Sequence, residues 1–390
     1  MDFPDYDLLD EERLCAAGGL KWTAFPGCIG AFVAEMDFGT APPVARALQQ
    51  AIADGRTGYP TAALARELAD ACAHWQSSRH AWPVSPERIH AVGDVLGALE
   101  VTLAHFTSAG APVVLPTPAY MPFKPLIELR GHPVVEVPHL LQDGLWRMDL
   151  DGIDDALRRG AGLVLLCNPH NPTGRMFDAG ELRSLAAVVD RRGARVFADE
   201  IHAPLALGDA RHVPYASVCE SAAAHSISAV SASKGWNLAG LKCAQLVFGN
   251  DDDLAHWRRI ALLAGHGVSA LGMVAAATAW RDGGPWLDHV IGYLRRNRDL
   301  LAEGLRVHLP DAVFVPPQGT YLGWIDCRAL PLPTDLAPAR FFLRHARVAL
   351  TDGGECGNAG TGFVRLNFAM PAPLLRTAIA RMGAAVRDAR

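Results

Sequence analysis

The chain is predicted to adopt an α/β fold: a large domain built on a mostly parallel sheet of the seven-stranded type, flanked by helices, with a smaller α+β domain beside it. Two observations carry this. Strand-like apolar runs alternate with helical patterns through the middle of the 390 residues, and the pattern changes beyond residue 283. Half of the residues are apolar, enough for a sizeable core.

The strand-like runs, in order, are "APVVLPTP" from Ala111, "HPVVEVP" from His132, "AGLVLLCNP" from Ala161, "GARVFADE" from Gly193, "HSISAVSAS" from His225 and "AQLVFGN" from Ala244. They are short, apolar and bounded by turn residues, as strands covered on both faces are. Between them lie helical patterns such as "DAGELRSLAAVVDRRG", where Leu182, Leu185, Ala186 and Val189 share one face. Beyond residue 283 come a long helical stretch from Pro285, the short runs "GTYLGWID" and "GFVRLNF", and a closing helix from Pro371. The expected division is a large domain over 46–282 and a small one formed by 1–45 and 283–390.

Charged residues make up 20% of the chain, its formal net charge is -5, and no long basic block occurs, so nucleic acid is not an expected partner. The start of the chain is acidic and no apolar stretch could span a bilayer, so no membrane association is expected and the location is expected to be cytoplasmic. The eight cysteines stand singly, without metal or redox spacing, and are read as reduced and structural, with no metal site.

Three segments follow candidate strands: "CNPHNPTGR", "ADEIHAPL" and "SASKGWNLAGLK". In a parallel sheet they would meet at the carboxyl ends of the strands. Each alone has a plain structural reading. Asn171 with Pro172 and Gly174 reads as a turn, Asp199 as a helix cap, Glu200 as a solvated charge, His202 as a satisfied histidine and Lys234 as a surface cation. "DEIH" lacks the spacing of a zinc protease.

Taken together, in this order and spacing, the segments resemble the aminotransferase-like pyridoxal 5'-phosphate enzymes of fold type I. Within them the chain is most similar to the MalY/PatB group of cystathionine β-lyases and cysteine-conjugate C-S lyases. "FVAEMDF", "GYP", "TPAY", "CNPHNPTGR", "ADEIH", "SKGWNLAGL", "GGPWLD" and "GFVRLNF" are the landmarks.

The resemblance implies a role for each residue. Lys234 would bind the cofactor covalently and then act as the base at Cα. Asp199 would pair with the pyridinium nitrogen, Asn171 would meet the phenolic oxygen, His202 would stand where tyrosine is common, and Tyr120 would stack on the ring. Backbone N–H groups of Val95 and Leu96, at the helix start in "VGDVLGALE", would hold the phosphate with Ser231, Ser233 and Lys242. Tyr59 in "TGYP" would reach the phosphate of a neighbouring subunit, implying a homodimer. Arg365 would bind the substrate α-carboxylate through its two-pronged guanidinium. The glycines of "GGECGNAGTG" precede a strand and would form a flexible loop near the mouth of the site.

The implied reaction is α,β-elimination of L-cystathionine or another S-substituted L-cysteine to a thiol, pyruvate and ammonia. An aminotransferase acting on an L-amino acid uses the same lysine, aspartate and arginine and stands as the alternative. A scaffold without turnover would have no physical need for Lys234, Asp199, Asn171 and Arg365 together. The chain departs from the group at "FVAEMDF", in "KWTAFPGCIGA" and at Trp236. By resemblance these positions lie near the substrate entrance and would affect the leaving-group side.

Overall fold

The computed structural model describes residues 3–209 and 211–389. Seven strands form the large sheet: β1 (Ile89–Val92), β2 (Val113–Thr117), β3 (Val134–Pro138), β4 (Leu163–Cys167), β5 (Arg195–Asp199), β6 (Ser226–Val230) and β7 (Ala244–Phe248). Their order is β1-β7-β6-β5-β4-β2-β3, parallel except for β7, which runs against both of its neighbours. This is the fold type I sheet. Strand β1 is absent from the six apolar runs because "IHAV" is short and interrupted by His90.

Alternation along the strands divides the core into two layers. Leu163 and Leu165 face one layer with Val113 and Phe197, against the helix Val95–His105. Val164 and Leu166 face the other, against Leu182, Leu185, Ala186 and Val189, the stripe expected on one helix face. That helix, Ala179–Arg191, begins in a reciprocal cap between Asp178 and Glu181, which satisfies backbone donors that would otherwise be orphaned.

The second sheet contains β8 (Val313–Phe314), β9 (Leu322–Asp326), β10 (Thr351–Asp352) and β11 (Phe363–Asn367), in the order β8-β9-β11-β10 and antiparallel throughout. Helices Gly284–His308 and Ala372–Asp388 pack together beside it. The N-terminal segment joins this unit, since Ile29–Gly30 pairs in parallel with Val348–Ala349. Glycine is required at position 30, where a Cβ would fall 1.8 Å from the Lys21 carbonyl oxygen. Helix Pro42–Ala53 runs through the expected junction at 45/46 and packs on Ala270–Asp282, and Gly283 separates the latter from Gly284–His308 at the other junction.

Two expectations change. Trp236 is not at an entrance: it is 0% exposed, packs edge-on against Trp75 and Trp280, and its indole N–H donates to the Gly283 carbonyl at 2.9 Å. The turn after Lys234 directs position 236 into the helical layer behind the site, which has room for a large ring. The glycine-rich loop folds into two successive 3-10 turns, Gly353–Cys356 and Asn358–Gly360, packed so closely that a Cβ on Gly360 would meet the Gly353 carbonyl at 2.0 Å.

Replacing Trp236 by Phe removes one of two donors to the Gly283 carbonyl, which still accepts from the Leu287 amide at 3.1 Å, and should cost about 0.5–1.5 kcal/mol of stability for the lost hydrogen bond. Chemical denaturation should show this with no change in preference among substrates; an altered preference at unchanged stability would return Trp236 to the entrance.

Candidate active site

The parallel register sets β4, β5 and β6 side by side, with Cys167 opposite Asp199 and Asp199 opposite Ala229, so the segments that follow them leave the sheet together. Over this edge lies a cavity of about 490 Å³. Twelve residues predicted from sequence were candidates for a site, and eleven of them line this cavity: Val95, Leu96, Tyr120, Asn171, Asp199, His202, Ser231, Ser233, Lys234, Lys242 and Arg365. The twelfth, Tyr59, is 91% exposed and lies outside it.

Asp199 ends β5 at the cavity floor. One carboxyl oxygen accepts from the Ile201 amide at 3.0 Å, and the Cys167 thiol points at the other from 3.8 Å. Burial dominates its environment and pushes the carboxyl up to about 7. The same desolvation, reinforced by the positive charge of Arg365, brings the Lys234 amine down to about 8 against the opposing pull of Glu35 and Asp199. The Lys234 Nζ donates to the Ala34 carbonyl at 2.9 Å. A half-buried amine that ionises near neutrality can serve as nucleophile or base, unlike the surface cation of the plain reading.

Arg365 enters from the other sheet, on β11, and is 2% exposed. It donates to Asn171 Oδ1 at 2.9 Å, to the Phe32 carbonyl at 2.8 Å and to Thr351 Oγ1 at 3.1 Å, all neutral acceptors, while its Nε has no partner. A guanidinium held this way still presents a charge suited to a carboxylate. His202 is also buried and its Nδ1 lacks a partner. Burial first, and then the charges of Lys234 and Arg365, hold its imidazole well below its ordinary value, so it is neutral.

At the far end, the helix Val95–His105 directs its first turn toward the cavity. Asp94 caps it, accepting from the Gly97 amide at 2.7 Å, and pairs with Lys242 at 2.7 Å. Against the upward pull of burial, the Lys242 contact and backbone N–H groups hold this carboxyl below its ordinary value. Ser231 is committed to the turn: its hydroxyl donates to the Cys243 carbonyl at 2.8 Å and accepts from the Ser233 amide at 3.1 Å. Tyr120 sets its ring edge-on to Phe123 at 5.3 Å.

Several contributors were not anticipated. Asp94 had a legible signal, an acidic residue just before a helix start. The carbonyls of Phe32 and Ala34 had none, since backbone acceptors carry no residue identity, and the Thr351 hydroxyl reaches Arg365 only through the pairing of β10 with β11. Burial pushes the thiols of Cys243 and Cys356 up to about 12, which suits structural rather than nucleophilic roles. Among the described residues, no cluster of three or more His, Cys, Asp or Glu could hold a metal ion, and no helix is long and apolar enough to cross a membrane.

Because the folded protein holds the Asp199 proton up to about pH 7 while an unfolded chain releases it from 3.8, folding loses stability as pH rises between those values. Asp199→Asn in the cofactor-free protein should therefore gain thermal stability over wild type progressively from about pH 4 to about pH 7 and level off above. A difference independent of pH would show that the carboxyl is not buried as described.

A model of the family "Aminotransferase class I and II" matches residues 28–382. The cystathionine beta-lyase of Corynebacterium glutamicum is 36% identical to the chain, covering 98% of it and 99% of the relative. The cystathionine beta-lyase PatB of Bacillus subtilis is 32% identical, covering 96% and 98%. Among solved structures, cystalysin from Treponema denticola, which contains pyridoxal 5'-phosphate, superimposes with a TM-score of 0.91 at 26% identity over 100% of both chains. With a family match over nearly its whole length and relatives above 30% identity over at least 96% of it, the chain belongs to the aminotransferase class I and II family.

Proposed function

We propose that this protein is a pyridoxal 5'-phosphate-dependent C-S β-lyase that eliminates a thiol from L-cystathionine or another S-substituted L-cysteine. The observation that carries the reading is one cavity in which a buried carboxyl, a half-buried amine and a buried guanidinium face the same space. The two relatives of 36% and 32% identity bear the name cystathionine beta-lyase, which favours elimination over the transamination that the same residues could support.

The residues fit the cofactor. Asp199 is a buried carboxyl with one oxygen facing only a thiol, suited to a ring N–H. Lys234 is an amine that ionises near neutrality, and the first turn of Val95–His105 offers backbone donors to a phosphate. When bound, the cofactor supplies an electron sink that makes the substrate Cα proton acidic.

The chain's own groups would do the rest. Arg365 grips the α-carboxylate, and Asn171, fixed by its contact with Arg365, sits beside it for the ring oxygen. Lys234 would be the residue that holds the cofactor covalently, and its amine would take the Cα proton of the substrate. Tyr120 would cover the ring, neutral His202 lines the same cavity, and Val95, Leu96, Ser233 and Lys242 would surround the phosphate, with Ser231 shaping their turn. Loss of the Cα proton and of the Cβ–S bond leaves a thiol and aminoacrylate, which water converts to pyruvate and ammonia.

In this reading residues 46–282 bind the cofactor, and the small domain of 1–45 and 283–390 brings Arg365. Tyr59, exposed and away from its own cavity, serves the site of a second copy in a homodimer. The singly spaced free cysteines accord with a reducing cytoplasm.

The purified protein should release pyruvate and thiol from L-cystathionine with no oxo-acid acceptor, and Lys234→Ala should abolish that release together with the visible absorbance. Turnover only with an acceptor would establish the aminotransferase instead. Arg365→Lys, which keeps the charge and loses the fork, should lower kcat/KM by about 10–100-fold, seen in steady-state rates across substrate concentration.

A further inference from the structure

Residues 31–37 form a strap without helix or strand that crosses the cavity from the small domain. Every carbonyl from Ala31 to Met36 is engaged. Ala31 accepts from the Asn367 amide at 2.8 Å, and Phe32 accepts from Arg365 and Thr351. Val33 and Glu35 share the Asn367 side chain at 2.7 and 2.6 Å. Ala34 accepts from both Lys234 Nζ and the Tyr321 hydroxyl at 2.9 Å, and the Asn237 side chain closes on Met36 at its N–H and C=O.

The strap ends at Asp37, whose carboxylate meets Lys21 at 2.9 Å with side-chain exposures of 3% and 2%. All three ammonium donors of Lys21 are used, on Asp37, on the Ala369 carbonyl at 3.0 Å and on the Glu35 carbonyl at 3.3 Å. The Trp22 indole N–H satisfies the other Asp37 oxygen at 2.8 Å. None of these three residues lines the cavity. A buried ion pair is often no more stabilising than an apolar one of similar shape, yet it is directional and fixes one geometry.

We propose that Asp37, clamped by Lys21 and Trp22, is a positioning residue for the proton transfer: it holds the strap closed so that the Ala34 carbonyl aims the Lys234 amine. A neutral amine that donates one N–H to Ala34 keeps its lone pair in a defined direction, and the closed strap keeps water from it. The inference rests on Lys234 being the base at Cα. The other charged or titratable groups facing Lys234, namely Asp199, Arg365, Glu35, His202 and Tyr321, are not substituted in the variants below; Glu35 moves with the strap, and losing its upward pull on the amine opposes the rise expected from water entry.

The test uses Trp22→Phe, which removes one hydrogen bond to Asp37, and the double variant Lys21→Met/Asp37→Asn, which removes both charges together and leaves no unpaired buried ion. In the cofactor-free protein, acylation of Lys234 followed by mass spectrometry across pH should show its half-maximum move upward from about 8 toward the ordinary 10.5 as water reaches the amine. In the holoenzyme, the kinetic isotope effect from Cα-deuterated substrate should at least double, with KM changed less than twofold. Should the double variant fail to fold, Trp22→Phe reads the same two quantities with smaller shifts in the same directions. Wild-type values of both in a folded variant would overturn the positioning role. Elimination persisting in Lys234→Ala would instead overturn the assignment of the base.

Discussion

Desolvation of the ionisable groups around one cavity governs this molecule. In bulk water the Asp199 carboxyl, the Lys234 amine and the His202 imidazole would each hold their usual protonation. Here burial is the largest influence on all three: it raises the acid and lowers the amine until those two meet near neutrality, and it holds the imidazole well below its ordinary value. The chemistry proposed for the site requires that convergence, since a fully protonated lysine cannot take a proton. Everything else in the architecture supplies walls to that cavity or partners for the groups within it.

Two sheets share the task. The parallel sheet delivers Asn171, Asp199, Ser231 and Lys234 from adjacent strand ends, a consequence of its register. The antiparallel sheet delivers Arg365 from β11, and the strap joins the two because its carbonyls accept from Arg365 and Asn367 on one side and from Lys234 and Asn237 on the other. Irregular backbone is tolerated at this depth because each of its carbonyls from Ala31 to Met36 has found a partner.

Much of the fold was legible because it follows from local pattern. The apolar runs of β2 to β7 and the stripe Leu182, Leu185, Ala186 and Val189 are one-dimensional signals of burial. Strand β1 was not, because a strand of four residues with a histidine inside it is held by pairing with β7 rather than by its own composition. Trp236 was misplaced for a related reason. Its neighbour Lys234 suggested the site, whereas the direction of its side chain depends on the space left by Trp75 and Trp280, which come from distant helices.

The sequence by itself determined the chemical identities: a lysine, an aspartate, an asparagine and an arginine in an order and spacing that resembles one cofactor's enzymes, on an alternating α/β pattern. Tertiary structure alone decided their state. It made Lys234 a half-buried amine rather than a surface cation, tied Lys242 to Asp94, and turned the carbonyls of Phe32 and Ala34 into acceptors for Arg365 and Lys234. The physical reason is that desolvation and hydrogen-bond geometry depend on what surrounds a group in space, and its surroundings here come from segments 200 and 333 positions away in the chain.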